Sequence, residues 1–232
     1  MRSNSIRQSK RATRLPNMLT EQVSTLSEKA YGILEEMIVT LKLEPGRVIS
    51  EALLSQAISI GRTPLREALQ RLAVEGLVSS LPRRGLIVSE INITQHLALL
   101  ETRRVLDRLV LSRAARRATR EQRDALLACA AGMERAAASK DLTTFMKLDR
   151  DFDAIVESAS RNAFAARALA PLHVHCRRFW YMYHHNGDLS RSAALHVQVM
   201  EAVARADEEV AAASADRLID YLEEFTRSAF DL

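Results

Sequence analysis

Seven glycines and five prolines in 232 residues are few for the many turns that a sheet protein needs. Alanine, leucine, arginine and glutamate, all strong helix formers, are plentiful instead, so a mainly α fold is expected. The two cysteines, Cys129 and Cys176, have neither metal-type nor redox spacing. That argues against a disulfide scaffold and for a reducing compartment. No apolar run reaches the roughly 18 residues that span a bilayer, so no membrane partner is expected. The basic N-terminus is not followed by an apolar stretch, which argues against a signal peptide. A cytoplasmic protein is the expectation.

What is present is a normal soluble balance, 47% apolar and 27% charged, in a length that suits one large domain or two ordinary ones. The formal charge of +4 is unevenly placed. Residues 1 to 90 hold 13 Lys and Arg against 9 Asp and Glu, a surplus of 4, whereas residues 91 to 232 hold 20 of each. An anionic partner is therefore indicated for the N-terminal part alone. Residues 1–24 read as a basic flexible tail, with Arg2, Arg7, Lys10, Arg11 and Arg14 and no apolar period. Such a tail could also reach into a DNA groove.

From Thr25 a capping box with Glu28 opens a first helix with apolar residues at helical spacing up to Leu41. Pro45-Gly46 breaks the chain, and Ser50 caps a short helix through Ile58 that exposes Glu51 and Gln56 and buries Leu53, Leu54 and Ala57. A third helix follows over Thr63 to Leu77, with Thr63 as N-cap, Pro64 in the first turn and Gly76 at the end. Its face of Leu65, Ala68, Leu69, Leu72 and Ala73 is apolar, and the opposite face carries Thr63, Arg66, Glu67, Gln70 and Arg71. Two short β-prone runs, Leu77 to Ser80 and Leu86 to Val88, flank the basic turn Arg83-Arg84-Gly85, as a wing would. Helix, turn, basic-faced helix and wing make a winged helix-turn-helix layout.

The stretch from Leu43 to Val88, with Pro45-Gly46, Glu51, Arg62-Thr63-Pro64, Arg66-Glu67-Ala68-Leu69, Glu75-Gly76-Leu77-Val78 and Arg84-Gly85, resembles the winged helix-turn-helix of GntR-family transcription regulators. The resemblance implies that Arg62, Thr63, Arg66 and the Gly85 backbone contact DNA, with Arg83 and Arg84 at the wing tip beside them. Ser59 and Gly61 depart from the family's usual turn residues, and Ala52 stands where the best-known subgroup has a DNA-contacting Arg.

Beyond Ile91 six helices are expected: about Thr94–Arg117, Thr119–Ser139, Asp141–Ala159, Ala163–His185, Leu189–Ala206 and Glu208–Phe230. Short polar joints suggest an antiparallel bundle. Leu97, Leu100, Val105, Leu109 and Ala114 would face inward on the first of them, and Pro171 would kink or shorten the fourth. Asp149-Arg150-Asp151-Phe152-Asp153 has the spacing of a calcium loop, but Ala154 and Ser160 occupy its Gly and Glu positions. On a helix, Asp149 and Asp153 share one face, and two like charges there call for a cation, a proton or a buried ligand network.

This part of the chain, residues 91 to 232, resembles the FCD effector-binding domain of the FadR-type GntR subgroup. The resemblance implies a metal site of one Asp and three His, and the matching positions here are Asp149, Asp153, His196 and Asp220. Two of the imidazoles have thus become carboxylates. Such a set suits magnesium or manganese better than zinc, and its alternative is an acidic pocket wall without any metal. Arg103 matches a pocket-facing Arg that could bind a small carboxylate, or it pairs with Asp107 along its own helix.

The resulting expectation is a winged helix-turn-helix over 25–90 and an all-α effector-binding and dimerisation domain over 91–232. The chain would be a non-enzymatic, ligand-responsive transcription regulator that binds double-stranded operator DNA as a homodimer and takes a small carboxylate effector at Arg103, Asp149, Asp153, His196 and Asp220. A constitutive DNA-binding dimer is the first alternative. A helical-bundle metalloenzyme is the second.

Overall fold

The structure, a computed structural model, describes residues 25–81 and 85–229. Helix α1 (Leu26–Val39) opens on the expected capping box: Thr25 Oγ1 accepts the Glu28 N–H, and the Thr25 N–H donates to Glu28 Oε2 at 2.7 Å. Helix α2 (Glu51–Ala57) starts at the Ser50 cap and leads through Ser59, in the left-handed region at φ 54°, to helix α3 (Arg62–Val74). Strands β1 (Val78–Leu81) and β2 (Gly85–Val88) pair antiparallel, with Val78 opposite Val88 and Leu81 opposite Gly85. Leu34, Ile38, Leu54, Leu65, Leu69, Leu72, Leu77 and Val88 fill the core that these elements share.

Three details differ from the sequence expectation. Helix α3 starts at Arg62, with Gly61 rather than Thr63 as the N-cap, so Pro64 is its third residue. Pro64 is still free of conflict, since the first-turn amides have no intrahelical acceptor. Leu53 and Ala57 on α2 are exposed, because α2 buries Leu54 alone, and Ala73 on α3 is exposed as well. The end of α3 follows the expected pattern. Gly76 adopts φ 80°, its N–H donates to Ala73 O, and the Leu77 N–H donates to Leu72 O, a Schellman closure.

Among the described residues six α-helices follow: α4 (Ile93–Arg117), α5 (Arg120–Ala138), α6 (Leu142–Ser160), α7 (Ala163–Tyr183), α8 (Leu189–Ala204) and α9 (Glu208–Ser228). Side-chain caps at Asn92, Thr119, Asp141, Asn162, Asp188 and Asp207 start them, and Thr119 with Gln122 forms the second capping box. Helix α4 packs on α6, α7, α8 and α9, and α5 packs on α6 and α8, around Leu111, Leu126, Met133, Phe152, Leu169 and Met200. Helix α7 runs unbroken through Pro171. On α4 the inward face is Leu100, Arg103, Asp107, Val110 and Ala114, and Val105 and Leu109 point outward instead. Polar residues thus replace hydrocarbon at the centre of the bundle.

Gly76 and Gly32 make a contrasting pair. Gly76 needs its positive φ, whereas Gly32 sits inside α1 with open space where a Cβ would go. Gly76→Ala should lower the unfolding free energy by about 1 kcal/mol, and Gly32→Ala should raise it by about 0.5–1 kcal/mol, both read from denaturant midpoints.

Candidate functional site

The outward face of α3 presents Arg62, Thr63, Arg66, Glu67 and Gln70 to solvent. Arg66 is tied to the preceding helix, its Nε 2.6 Å from Glu51 Oε2. An exposed pair of this kind adds little stability, but it fixes where the guanidinium stands. Gly61 caps α3 without a side-chain hydrogen bond, which leaves the first amides of the helix open to a phosphate oxygen. At the start of β2, Gly85 has φ 79°, and no described residue lies within 4 Å of a Cβ built on it. Arg83 and Arg84 lie outside the described residues. The surface therefore joins Arg62, Thr63 and Arg66 on one helix, with the wing beyond.

The second constellation is buried in the bundle. Arg103 on α4 meets Asp107 one turn later, Nε to Oδ2 at 3.1 Å and a terminal nitrogen at 3.0 Å. Asp107 Oδ1 lies 3.2 Å from His173 Nε2 on α7, and His173 Nδ1 lies 3.1 Å from Asp153 Oδ2 and 3.3 Å from Glu157. Arg177, one turn on from His173, places a terminal nitrogen 2.5 Å from Asp153 Oδ2 and 3.5 Å from Asp149 Oδ2. Asp149 Oδ1 in turn lies 3.1 Å from His196 Nε2 on α8, whose Nδ1 is 2.8 Å from Ser192 O. The chain of contacts runs Arg103, Asp107, His173, Asp153, Arg177, Asp149, His196. Phe145, Phe152, Trp180 and Leu222 complete a pocket that Arg103, Asp149, Asp153, His173, Arg177 and His196 also line.

Four of the five pocket residues expected from sequence are thus together: Arg103, Asp149, Asp153 and His196. Asp220 is not among them. It is 65% exposed on the outer side of α9 and pairs with Arg104 at 2.7 Å, while its neighbour Ile219 is the buried residue at that level. A one-residue offset on a helix turns a side chain by about 100°, enough to exchange inside for outside. Arg103 makes the intrahelical pair with Asp107 and also lines the pocket, so its two readings hold at once.

The donor set does not fit a metal ion. Asp220 is absent from it, His196 Nε2 is engaged by Asp149, and the guanidinium of Arg177 already reaches both carboxylates. Among the described residues no group of three or more His, Cys, Asp and Glu is arranged to hold one. The cation that the paired carboxylates call for is Arg177.

Ionisation follows from this geometry. Burial disfavours the charge on Asp149, but His196 and Arg177 overcome it and hold the carboxyl well below the usual range. Burial likewise opposes Asp107, and Arg103 with His173 lowers it. Burial works against a charged His173 and His196, yet Asp153 raises the first and Asp149 the second.

Helix α7 also touches the DNA-reading half. Between the pocket residues His173, Cys176 and Arg177, Val174 enters the core of α1 and α3. His175 Nε2 lies 2.8 Å from Glu75 O at the end of α3, and Arg178 donates to Ser89 O at 2.5 Å, just past β2. His173 and Asp107 were not assigned to the pocket from sequence, whereas Arg177 was among the α7 residues that could line a pocket or a subunit interface. The i, i+4 spacing of His173 and Arg177 on one α7 face was the signal available.

Fold and site together define a class: a winged helix that reads DNA, joined to a helical bundle with a charged pocket. Residues 26–88 match the gntR family of bacterial regulatory proteins and residues 98–221 match the FCD domain. The chain belongs to the GntR family, carries an FCD domain and is a DNA-binding transcription regulator. It is similar to the HTH-type transcriptional repressor RspR of Escherichia coli K12, 27% identical over 183 residues, or 78% of this chain and 80% of that one. An uncharacterized HTH-type transcriptional regulator of Streptomyces ambofaciens is 44% identical over 62 residues, 27% of this chain, and the match spans 26% of that relative's length. The solved structure of E. coli McbR/YncC superposes with a TM-score of 0.75 at 18% identity over 85% of this chain and 95% of that one, which shows the shared fold. Among the described residues no helix is long and apolar enough to cross a membrane.

The sign of the pH dependence follows from these four groups. His173 and His196 are raised when folded, so the stability they contribute is full below their ordinary value of 6.5 and is lost as pH rises through the folded values. Asp107 and Asp149 are lowered, so theirs is present above the ordinary 3.8 and lost as pH falls through the folded values. Thermal midpoints should peak between these limits and decline on the alkaline side. His196→Gln should flatten that decline.

Proposed function

We propose that this regulator is a ligand-responsive repressor that acts as a cytoplasmic homodimer on a palindromic operator, with a small organic acid as its effector. Residues 25–90 read the DNA, and residues 91–232 bind the effector and form the dimer. Arg62 and Arg66 contact base edges or phosphates, and Thr63, the wing arginines Arg83 and Arg84 and the Gly85 backbone position the head. Val105 and Leu109, an exposed i, i+4 apolar pair on α4, offer surface for a contact between copies. The repressor in the name of the E. coli relative supports the direction of control.

The effector reading rests on one observation. Arg177 Nε and Trp180 Nε1 are buried donors without an acceptor among the described residues, and both side chains line the pocket. Buried donors left unpaired are costly, and a carboxylate oxygen would satisfy them. An acid that competes with Asp149 and Asp153 for Arg177 would shift α7, whose other face carries Val174, His175 and Arg178 on the DNA-reading half. Such an effector alters DNA binding only through a difference in affinity between the two placements of the heads.

DNA from upstream of the protein's own gene should be retarded at low salt, and the affinity should fall steeply as salt rises. Arg62→Ala and Arg66→Ala should each weaken binding by about ten- to a hundredfold. Within a panel of small carboxylic acids, at least one should release the DNA, and Trp180→Phe should weaken that acid roughly tenfold while ligand-free DNA binding stays the same. Unchanged binding by the arginine variants would remove the DNA-contact assignment. If no acid altered either DNA binding or the thermal midpoint, the protein would be a constitutive dimer.

A further inference from the structure

Arg103, Arg177 and Arg178 are all buried arginines, and they are not equivalent. Arg103 has Asp107, and Arg177 has Asp153 and Asp149. Arg178 is 1% exposed and makes no ion pair among the described residues. One terminal nitrogen donates to Ser89 O, and its Nε has no partner. A buried cation without a counter-charge is among the costlier things a fold can hold. Burial accordingly pulls the Arg178 pKa down to about 10, whereas Asp partners push those of Arg103 and Arg177 up.

Arg178 lines a cleft between the wing and the start of the bundle, which opens to solvent. Ser79 and Ser89 come from the wing side, Gln95 and His96 from α4, and His175 and Arg178 from α7. The two serine hydroxyls share a hydrogen bond of 2.6 Å, so one of them keeps a proton to give to an incoming acceptor. His96 is stacked on Phe179 at a ring distance of 3.9 Å, and burial drives its pKa down to about 3, so it is neutral. His175 is held neutral by burial too, with Nε2 on Glu75 O. Among the described residues the remaining charge at the cleft is Glu90, whose carboxylate attracts Arg178 at a distance and forms no ion pair with it.

We propose that this cleft is a second ligand site, distinct from the bundle pocket, where the carboxylate or phosphate group of a small metabolite pairs with Arg178 and is steadied by the Ser79 and Ser89 hydroxyls. A planar guanidinium takes either group through two parallel hydrogen bonds. Because the cleft is walled by the wing on one side and by α4 and α7 on the other, its ligand bridges the DNA-reading head and the bundle. It thereby favours one placement of the head.

The test uses the full chain, titrated calorimetrically with inorganic phosphate and, separately, with succinate at constant ionic strength. The nitrogen resonances of arginine Nε–H groups are followed in parallel, with the Arg178 signal assigned by its loss in Arg178→Lys. At least one anion should bind and move the Arg178 signal, and Arg178→Met should weaken that binding at least tenfold. Phosphate binding on the DNA-reading surface is common to both proteins, so the difference between them isolates the cleft. Trp180→Phe, which alters the bundle pocket, should leave the anion-induced shift of the Arg178 signal unchanged. Response to phosphate alone assigns a phosphorylated ligand, to succinate alone a carboxylate, and to both their shared chemistry. Should Arg178→Met fail to fold, Arg178→Lys carries the comparison, with binding expected to weaken several-fold. An Arg178 signal that neither anion moves, or undiminished binding in the substituted protein, would overturn the proposal.

Discussion

The guanidinium of Arg177 between Asp149 and Asp153 is the interaction on which the interior of the bundle depends. Each carboxylate removed from water costs several kcal/mol even after relaxation, and two of them one helical turn apart repel each other as well. Arg177 offsets both costs, and His173 and His196 extend the compensation to Asp107 on α4 and Asp149 on α6. Four helices are thereby held in register by charge, at the level where other bundles use leucine. The arrangement specifies a unique packing, because a shifted helix would strand a buried charge. It also supplies a cation from within the chain, so the acidic pair does not call for a metal ion.

Arg177 belongs to the helix that faces both halves of the molecule. Along α7, residues directed at the pocket alternate with residues directed at the winged helix, so His173, Cys176 and Arg177 are interleaved with Val174, His175 and Arg178. A rigid element shared by two sites is the simplest physical carrier of coupling: whatever rotates or shifts it is felt at both ends. The pocket, the DNA-reading surface and the cleft at Arg178 are then three places from which one helix can be biased.

Much of this was legible in the sequence because caps and periodicity are local. Thr25 with Glu28, Ser50, Thr119 with Gln122, and Gly76 mark helix ends through hydrogen bonds that span a few residues, and the structure contains each of them. The outward face of α3 followed from its period of 3.6. What was not legible depends on rotation about a helix axis or on contacts far apart in sequence. Asp220 and Ile219 differ by one position, and only packing against α4 decides which is inside. Val105 and Leu109 satisfy an apolar pattern but lie outside, since Arg103 and Asp107 take the inward positions. Charged residues at a bundle centre contradict the hydrophobic period, and they are intelligible only once partners 24 to 66 residues away are seen. The Thr63 cap failed for a smaller reason: Gly61 can open a helix without a side-chain bond, so the helix began two residues earlier.

The central claim is that Arg177 is the counter-ion of the acidic pair, and a double-mutant cycle on the Arg177–Asp153 contact tests it most directly. Denaturant unfolding would be measured for the parent protein, Arg177→Met, Asp153→Asn and the double variant at a pH near 6. Arg177→Met alone should cost about 3–5 kcal/mol by leaving buried carboxylates uncompensated. The double variant should be less destabilised than the sum of the two single ones, by at least about 1 kcal/mol. Single costs that simply add, within about 0.5 kcal/mol, would contradict the account.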